Sequence, residues 1–561
     1  MKWWQNKYNL ILVAIFVIAI ILRWWNIPGS DIQNDTALNT LRAFGWFDFL
    51  GGDNQTSPII WFGQIPWWGY LSFHDMPPLV QGIQFVFLNL FGQGSLSALL
   101  PFILSGLLTT YLLYYLMNKI ANRPKALLTA GLFSLTSYAV WASRTGYLEG
   151  VAVVFIVLSV IAWLFFLKSN KNKYLYYWAI ATGLALLSKY TALFLLLAVG
   201  LYILIWRRDV LKNRHLWLSI IVMLIVLTPI IIYNIMVFKT RGHFDAALSS
   251  MVGMHPEDFA AIASRGANTN FLQNIGTIIV VLYKASSLAL FILYILSLFF
   301  VLIKVIKRQA SFIINFLFIN ILAIFLLFTF SGAPPRLLSI IVPFFSIITA
   351  LFIYKVWQWS SKNKIYKKLF IILLILTFAF EIFYCINTNV IKNPAGSEFV
   401  VYSGYRFYDR GFEELDNYLQ DEIIGEFPDK IRTKNIVDLA NITVKDDFVV
   451  LFDERADWFS QVWYIDKYII YYRLPVFPMR YVNESNIDNK SIFGFFKDLG
   501  INEFYFIYTT PIGNRAGSTQ EYSEQMDGLM EYLETAGITP DKEIKDYKGD
   551  VVFKIYHFYF N

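Results

Sequence analysis

The sequence predicts a polytopic α-helical membrane protein carrying an extracytoplasmic C-terminal α/β domain. Three observations predict it. Of 561 residues, 57% are hydrophobic and only 16% charged, where a soluble chain carries about a quarter charged residues. The apolar residues fall in long blocks, many near the roughly 18–20 residues that cross a bilayer as a helix. The loops between the blocks alternate between basic and Lys/Arg-poor, and the whole pattern stops near residue 389.

The spans expected from the blocks are 8–26, 95–117, 126–142, 150–167, 174–188, 190–206, 216–238, 284–303, 312–331, 337–357 and 369–388. One set of loops holds Lys119/Arg123/Lys125, Lys168/Lys171/Lys173, Arg207/Arg208/Lys212/Arg214, Lys304/Lys307/Arg308 and Lys362/Lys364/Lys367/Lys368. Short basic loops face the cytoplasm, so with the N-terminus inside, about eleven spans satisfy every loop and leave the C-terminal region outside. The stretch 174–206 reads either as two short spans turning at Ser188-Lys189-Tyr190 or as one long tilted helix. Only the two-span version keeps both flanking basic loops on one side, and it puts Lys189 near the outer face. Trp and Tyr crowd block ends, as at Trp24-Trp25 and Trp357-Gln358-Trp359, where their rings suit the membrane interface.

The net charge of +7 is explained by these cytoplasmic loops, so no nucleic-acid partner is expected. The single Cys385 excludes an intramolecular disulfide and a cysteine-rich metal site. The opening segment has a signal-like basic start but no small-residue cleavage site, and reads as an uncleaved first span.

The domain division expected is therefore 1–388, transmembrane, with a first outer loop at 27–94, and 389–561, soluble and α/β. In the second part apolar runs shorten to strand length at 448–452, 469–472, 504–508 and 551–555. Amphipathic helical patterns lie between them at 411–423, 455–466, 489–499 and 519–536. Asn-X-Ser/Thr patterns at Asn54, Asn441, Asn483 and Asn489 all fall outside in this topology, and such short patterns arise often by chance.

Candidate chemistry gathers where loops meet spans on the outer side. The first outer loop is far longer than a connector needs. It opens Ser30-Asp31-Ile32-Gln33-Asn34-Asp35; on a helix the two aspartates share a face, and a carboxylate there can take a proton from an attacking hydroxyl. By spacing alone the pair reads more simply as solvated or capping aspartates. Further on, His74-Asp75-Met76-Pro77-Pro78-Leu79 fixes an extended turn before an apolar segment, 79–91, too short to span; His74 and Asp75 could bind a metal or phosphate, though a His beside an Asp is more often structural. Arg144 and Glu149 bound the second outer loop, Lys189 lies at the same level, and Arg336 follows Gly332-Ala333-Pro334-Pro335. Each cation alone reads as snorkelling to the interface. Together with the acids they make a polar site able to hold an anion, because ionisable groups at that depth are costly unless paired or wetted.

In this order the elements resemble the GT-C superfamily of membrane glycosyltransferases, and within it the protein mannosyltransferase and aminoarabinose transferase group. The residues that carry the resemblance are Asn34-Asp35, Pro77-Pro78-Leu79, Arg144 to Glu149, Ser188-Lys189, and Arg336 followed by an apolar run with Pro343; they cover about residues 1–360. The sequence departs from the group at Met76, where a Lys or His is usual before Pro-Pro-Leu, and at Glu149, where Asp is common. His74 is then the residue left to meet the donor phosphate there.

The resemblance implies a polyprenyl- or dolichyl-phosphate sugar as donor and direct displacement with inversion at the anomeric carbon. Asp35 would be the general base, with Asp31 as the fallback. Arg144, Lys189 and Arg336 would bind the donor phosphate, and Glu149 would orient the acceptor or the base. No cofactor is required and no metal ligands are assigned; a divalent ion stays an option. The partners implied are the lipid-linked donor, a protein, glycan or lipid acceptor, and membrane lipids. The location implied is a prokaryotic cell membrane. Three rivals remain: an oligosaccharyltransferase-like block transfer, whose C-terminal signature is lacking; a lipid or solute transporter, which predicts charges deep in the spans and related halves; and a scaffold or binding protein that keeps the fold without catalysis.

Overall fold

The computed structural model describes residues 7–27, 31–45, 76–254, 256–257, 271–332, 334–397, 399–402, 408–425, 429–430, 447–479, 496–498, 500–513 and 529–559. Among them, seven helices are long and apolar enough to cross a membrane: Lys7–Trp24, Ser95–Ile120, Glu149–Ser169, Leu288–Ile306, Phe312–Ser331, Pro335–Ser360 and Lys364–Asn389. The count reaches nine if each of two bent pairs is one span, namely Arg123–Leu135 with Ser137–Arg144 (57°) and Arg214–Val226 with Thr228–Arg241 (61°). The other two segments expected as spans are separate, shorter helices. Lys173–Ser188 has 16 residues, and Tyr190–Trp206 belongs to the shorter apolar class. The break between them is at Lys189, whose backbone is extended (φ −163°, ψ 133°).

The bends have local causes. Pro229 occupies the first turn of Thr228–Arg241, where its missing N–H interrupts continuation from the helix before. At Thr136 the backbone is extended (φ −60°, ψ 123°), which frees the N–H of Ser137. That N–H donates 2.7 Å to the Glu381 carboxylate, and the Ser287 N–H, at the start of Leu288–Ile306, donates 2.8 Å to its other oxygen. Glu381 is buried, so one carboxylate inside an apolar helix satisfies the first turns of two others.

The chain forms two compact units. The first comprises Met1–Ile27, Trp67–Phe87 and Leu96–Arg406. In it Glu149–Ser169 packs on Lys173–Ser188, which packs in turn on Arg214–Val226, while Phe194–Trp206 packs on Phe312–Ser331. Trp163 is fully buried among Trp178 and Phe316. Outward faces are apolar, as at Leu369, Leu373 and Leu376 on Lys364–Asn389, which fits a lipid solvent rather than water.

The second unit comprises Pro28–Pro66, Leu88–Ser95 and Phe407–Asn561. Its sheet has five strands, β1 Phe448–Phe452, β2 Val476–Pro478, β3 Glu503–Thr509, β4 Lys542–Lys545 and β5 Val551–Tyr559, in the order β2-β1-β3-β5-β4. The β1 pairings are parallel and the β5 pairings antiparallel. Three strands fall where the sequence expects them. The fourth expectation, 469–472, is corrected: these residues lie in the helix Asp466–Tyr472. Ile and Tyr have strand propensity, but Tyr468, Tyr471 and Tyr472 are buried at helical spacing on one face, and packing overrides propensity. The expected helix at 489–499 lies largely, and the glycosylation patterns at Asn54, Asn441, Asn483 and Asn489 wholly, outside the described residues.

The same unit holds the helix Asp35–Phe44. Phe44 meets Tyr471 and Trp463 edge-on at 5.1 and 5.9 Å, and the Tyr471 hydroxyl donates 2.9 Å to the Leu41 carbonyl. A Cβ on Gly45 would overlap the end of the Tyr471 ring, so a larger residue there would displace that ring.

Candidate functional site

Within the first unit, the second loop and the Lys189 break bring polar groups together. The helix Ser137–Arg144 ends at Arg144 and the next begins at Glu149; between them Gly146 has φ 70°, a left-handed backbone that favours glycine. Glu149 is in the first turn of its helix, where the dipole favours a carboxylate. Its side chain is 2% exposed and lies 3.7 Å from the Lys189 ammonium, which is 20% exposed. Among the described residues no hydrogen-bond donor reaches the Glu149 Oε1 atom. The pair is thus held by charge alone, with hydrogen-bonding capacity to spare on both partners.

The neighbours of Lys189 are fixed by a network the sequence did not single out. The Tyr190 hydroxyl donates 2.7 Å to Asp245, whose carboxylate also accepts from Asn234 at 2.8 Å and from the Leu248 N–H at 2.8 Å. Asp245 is fully buried. The break that presents Lys189 is therefore anchored one residue away.

Arg336 stacks its guanidinium 5.8 Å from the centre of the Tyr147 ring. The Tyr138 hydroxyl donates to the Pro335 carbonyl, tying the turn that carries Arg336 to the helix that ends at Arg144. Tyr147 is a second residue that sequence reasoning missed. An aromatic flanked by an Arg and a Glu in a short loop is the signal that points to it.

Arg144 is buried and spends one arm of its guanidinium on the carbonyls of Leu22 (3.1 Å) and Trp25 (2.8 Å), at the C-terminal end of the first helix. This is the place where a cation satisfies orphan carbonyls. These two bonds anchor the Arg144 side chain at that helix end. Nearby, the fully buried Arg23 reaches Ser143 at 3.3 Å and the Ser134 carbonyl at 3.0 Å.

The two aspartates of the first outer loop lie in the second unit and do not share a helical face. Asn34 has φ 54° and the helix begins at Asp35, leaving 31–34 non-helical. Asp31 is buried and accepts from the backbone N–H groups of Arg410 (2.6 Å), Glu413 (3.0 Å) and Phe412 (3.3 Å), so both its oxygens are engaged. Burial, then the nearby Asp409, push its carboxyl up to about 7 against the pull of those amides. In this structure the Asp31 carboxylate anchors the backbone at 410–413. Asp35 is half-buried at the first position of its helix. His74 lies outside the described residues. Among the described residues no group of three His, Cys, Asp or Glu could hold a metal.

A bundle of apolar, broken helices joined in one chain to a small mixed sheet is the architecture of the GT-C membrane glycosyltransferases, and the chain has that fold. A family model described as dolichyl-phosphate-mannose-protein mannosyltransferase matches residues 75–233, the stretch holding Arg144, Glu149 and Lys189. A putative mannosyltransferase, YycA of Bacillus subtilis (strain 168), is 26% identical over 210 residues, which is 37% of this chain and 29% of that protein. The chain therefore spans under a third of that relative's length. Among solved structures, ArnT from Cupriavidus metallidurans bound to undecaprenyl phosphate aligns with a TM-score of 0.55 at 13% identity, covering 98% of this chain and 97% of that one. The Archaeoglobus fulgidus oligosaccharyltransferase in its apo form gives 0.51 at 13% identity, covering 91% and 70%. At such identities the likeness is one of fold.

Proposed function

We propose that the chain is an inverting glycosyltransferase, moving a sugar from a polyprenyl- or dolichyl-phosphate donor to an acceptor at the outer membrane face. The observation that carries the reading is the pairing of the buried Glu149 with the half-buried Lys189 inside the stretch matched by the mannosyltransferase family model. The structural neighbour bound to undecaprenyl phosphate supports a lipid phosphate as the leaving group.

In this reading the acceptor hydroxyl attacks the anomeric carbon as the bond from that carbon to the phosphate oxygen breaks. Asp35 takes the hydroxyl proton. Lys189 and Arg336 meet the departing lipid phosphate, fixed cations being most effective where charge develops in a site that excludes water. Glu149 holds Lys189 in place and accepts from a hydroxyl of the substrate. Arg144 joins them while holding the end of the first helix, and His74 meets the phosphate in place of the residue that Met76 replaces. The sugar is a hexose or pentose, and the acceptor a protein, glycan or lipid.

The test is incubation of purified protein, reconstituted in lipid nanodiscs, with a panel of labelled polyprenyl- and dolichyl-phosphate sugars. Release of lipid phosphate from at least one donor, lost in Lys189→Met, is expected. No release from any donor would remove the reading.

A further inference from the structure

A cleft of about 430 Å³ lies in the first unit against the helices Ser95–Ile120, Glu149–Ser169 and Lys173–Ser188. Tyr115, Phe165, Tyr174 and Tyr177 form one wall, in a chain of ring contacts at 6.0, 5.5 and 6.1 Å. Ala162 and Ala181 contribute small side chains to the lining, which leaves room beside the rings. The lining runs along one helix from Lys173 to Leu184. Eleven residue steps at the helical rise make about 16 Å, against about 15 Å for half the hydrocarbon core of a bilayer. The cleft is as long as one leaflet is deep.

Its Lys173 end is cationic. The Lys173 ammonium lies 5.3 Å from the Tyr174 ring centre and that of Lys119 lies 5.8 Å from Tyr115. Lys168 donates 2.6 Å to the Lys119 carbonyl. Among the described residues, none of these three lysines has a carboxylate within 4.0 Å. They belong to the loops that the sequence assigns to the cytoplasm, the side where anionic lipids concentrate and where basic pockets between helices take lipid headgroups.

We infer that this cleft holds one acyl chain of an anionic glycerophospholipid from the cytoplasmic leaflet, its phosphate at Lys173, Lys119 and Lys168. The aromatic wall covers the chain and the lysines select the headgroup. Two of the helices lining the cleft carry Glu149 and end at Lys189 at their far ends. The lipid therefore braces the pair of helices that bears the polar site.

The test is titration of the delipidated full chain with phosphatidylglycerol and with phosphatidylcholine, followed by native mass spectrometry. Phosphatidylglycerol should occupy one site at least tenfold more tightly. The triple variant Lys119→Gln, Lys168→Gln, Lys173→Gln should bring it down to the phosphatidylcholine level, and Ala181→Trp should lose both lipids by filling the cleft. Equal binding of the two lipids by the unaltered chain would overturn the inference. So would a preference that survives the triple variant. Displacement of phosphatidylglycerol by undecaprenyl phosphate would assign the cleft to the donor's tail instead. The lysine substitutions are at the surface, so they remain decisive if Ala181→Trp does not fold.

Discussion

The Lys189 ammonium lies 3.7 Å from the Glu149 carboxylate, one at a helix break and the other in the first turn of a helix. Helix ends bring both charges to one place without requiring either to sit mid-span. The cost of burying Glu149 is offset by a cation whose other donors are left to a ligand.

The pair should respond asymmetrically to neutralisation. Lys189→Met removes a charge-assisted contact to the lipid phosphate, about 1.5–3 kcal/mol, so undecaprenyl phosphate affinity should fall about tenfold or more. Glu149→Gln releases Lys189 from its partner and should leave that affinity unchanged or raised. Equal affinities for both variants and the unaltered chain would reject a phosphate role for Lys189.

Arg144→Ala should act on stability as well as on binding. Its bonds to the Leu22 and Trp25 carbonyls cap a helix end, where a cation contributes about 0.3–2 kcal/mol. The melting temperature should drop and undecaprenyl phosphate affinity should fall with it. An unchanged affinity would leave Arg144 to the helix end alone.

Asp31 gives a pH signature. Its carboxyl is raised from 3.8 to about 7 in the fold, so the folded state holds the proton more tightly than the unfolded one. Its contribution to stability is full below about pH 4 and is lost as pH rises through about 7, on the order of a few kcal/mol at most. Asp31→Asn removes this titration and sets an amide against three N–H donors, a penalty independent of pH. The melting-temperature gap between the unaltered chain and the variant should therefore be wider at pH 5 than at pH 8. A constant gap would show that the carboxyl is not raised.

Glu381→Ala should be among the more damaging single changes. It strands the Ser137 and Ser287 N–H groups, each a buried donor costing about 1–3 kcal/mol when unsatisfied. A melting temperature unchanged in this variant would mean that the two helix starts find other partners.

Much of the transmembrane half is legible because bilayer length and loop charge act on whole segments. Every expected span coincides with a helix or a bent pair of helices, and even the Lys189 break follows from loop charge. What escapes is set by single tertiary contacts. Asp31 and Asp35 have helical spacing, yet Asn34 at φ 54° starts the helix only at Asp35. The run 469–472 has strand propensity, yet three tyrosines bury on one helical face. Glu381 carries a signal of its own, an acid inside an apolar span, but the two helix starts it serves are brought to it only by folding. Asp245 carried none, because its partners Tyr190 and Asn234 are brought to it only by folding.

The most direct test compares Asp35→Asn with the unaltered chain in the same preparation, measuring undecaprenyl phosphate binding, the rate of lipid phosphate release and the anomeric configuration of the product. Loss of a positioned base costs about a hundred- to ten-thousand-fold in rate. The account predicts a loss of that size with binding retained, and an inverted anomer in the product of the unaltered chain. Normal turnover by Asp35→Asn, or a product that retains the donor's anomeric configuration, would contradict it.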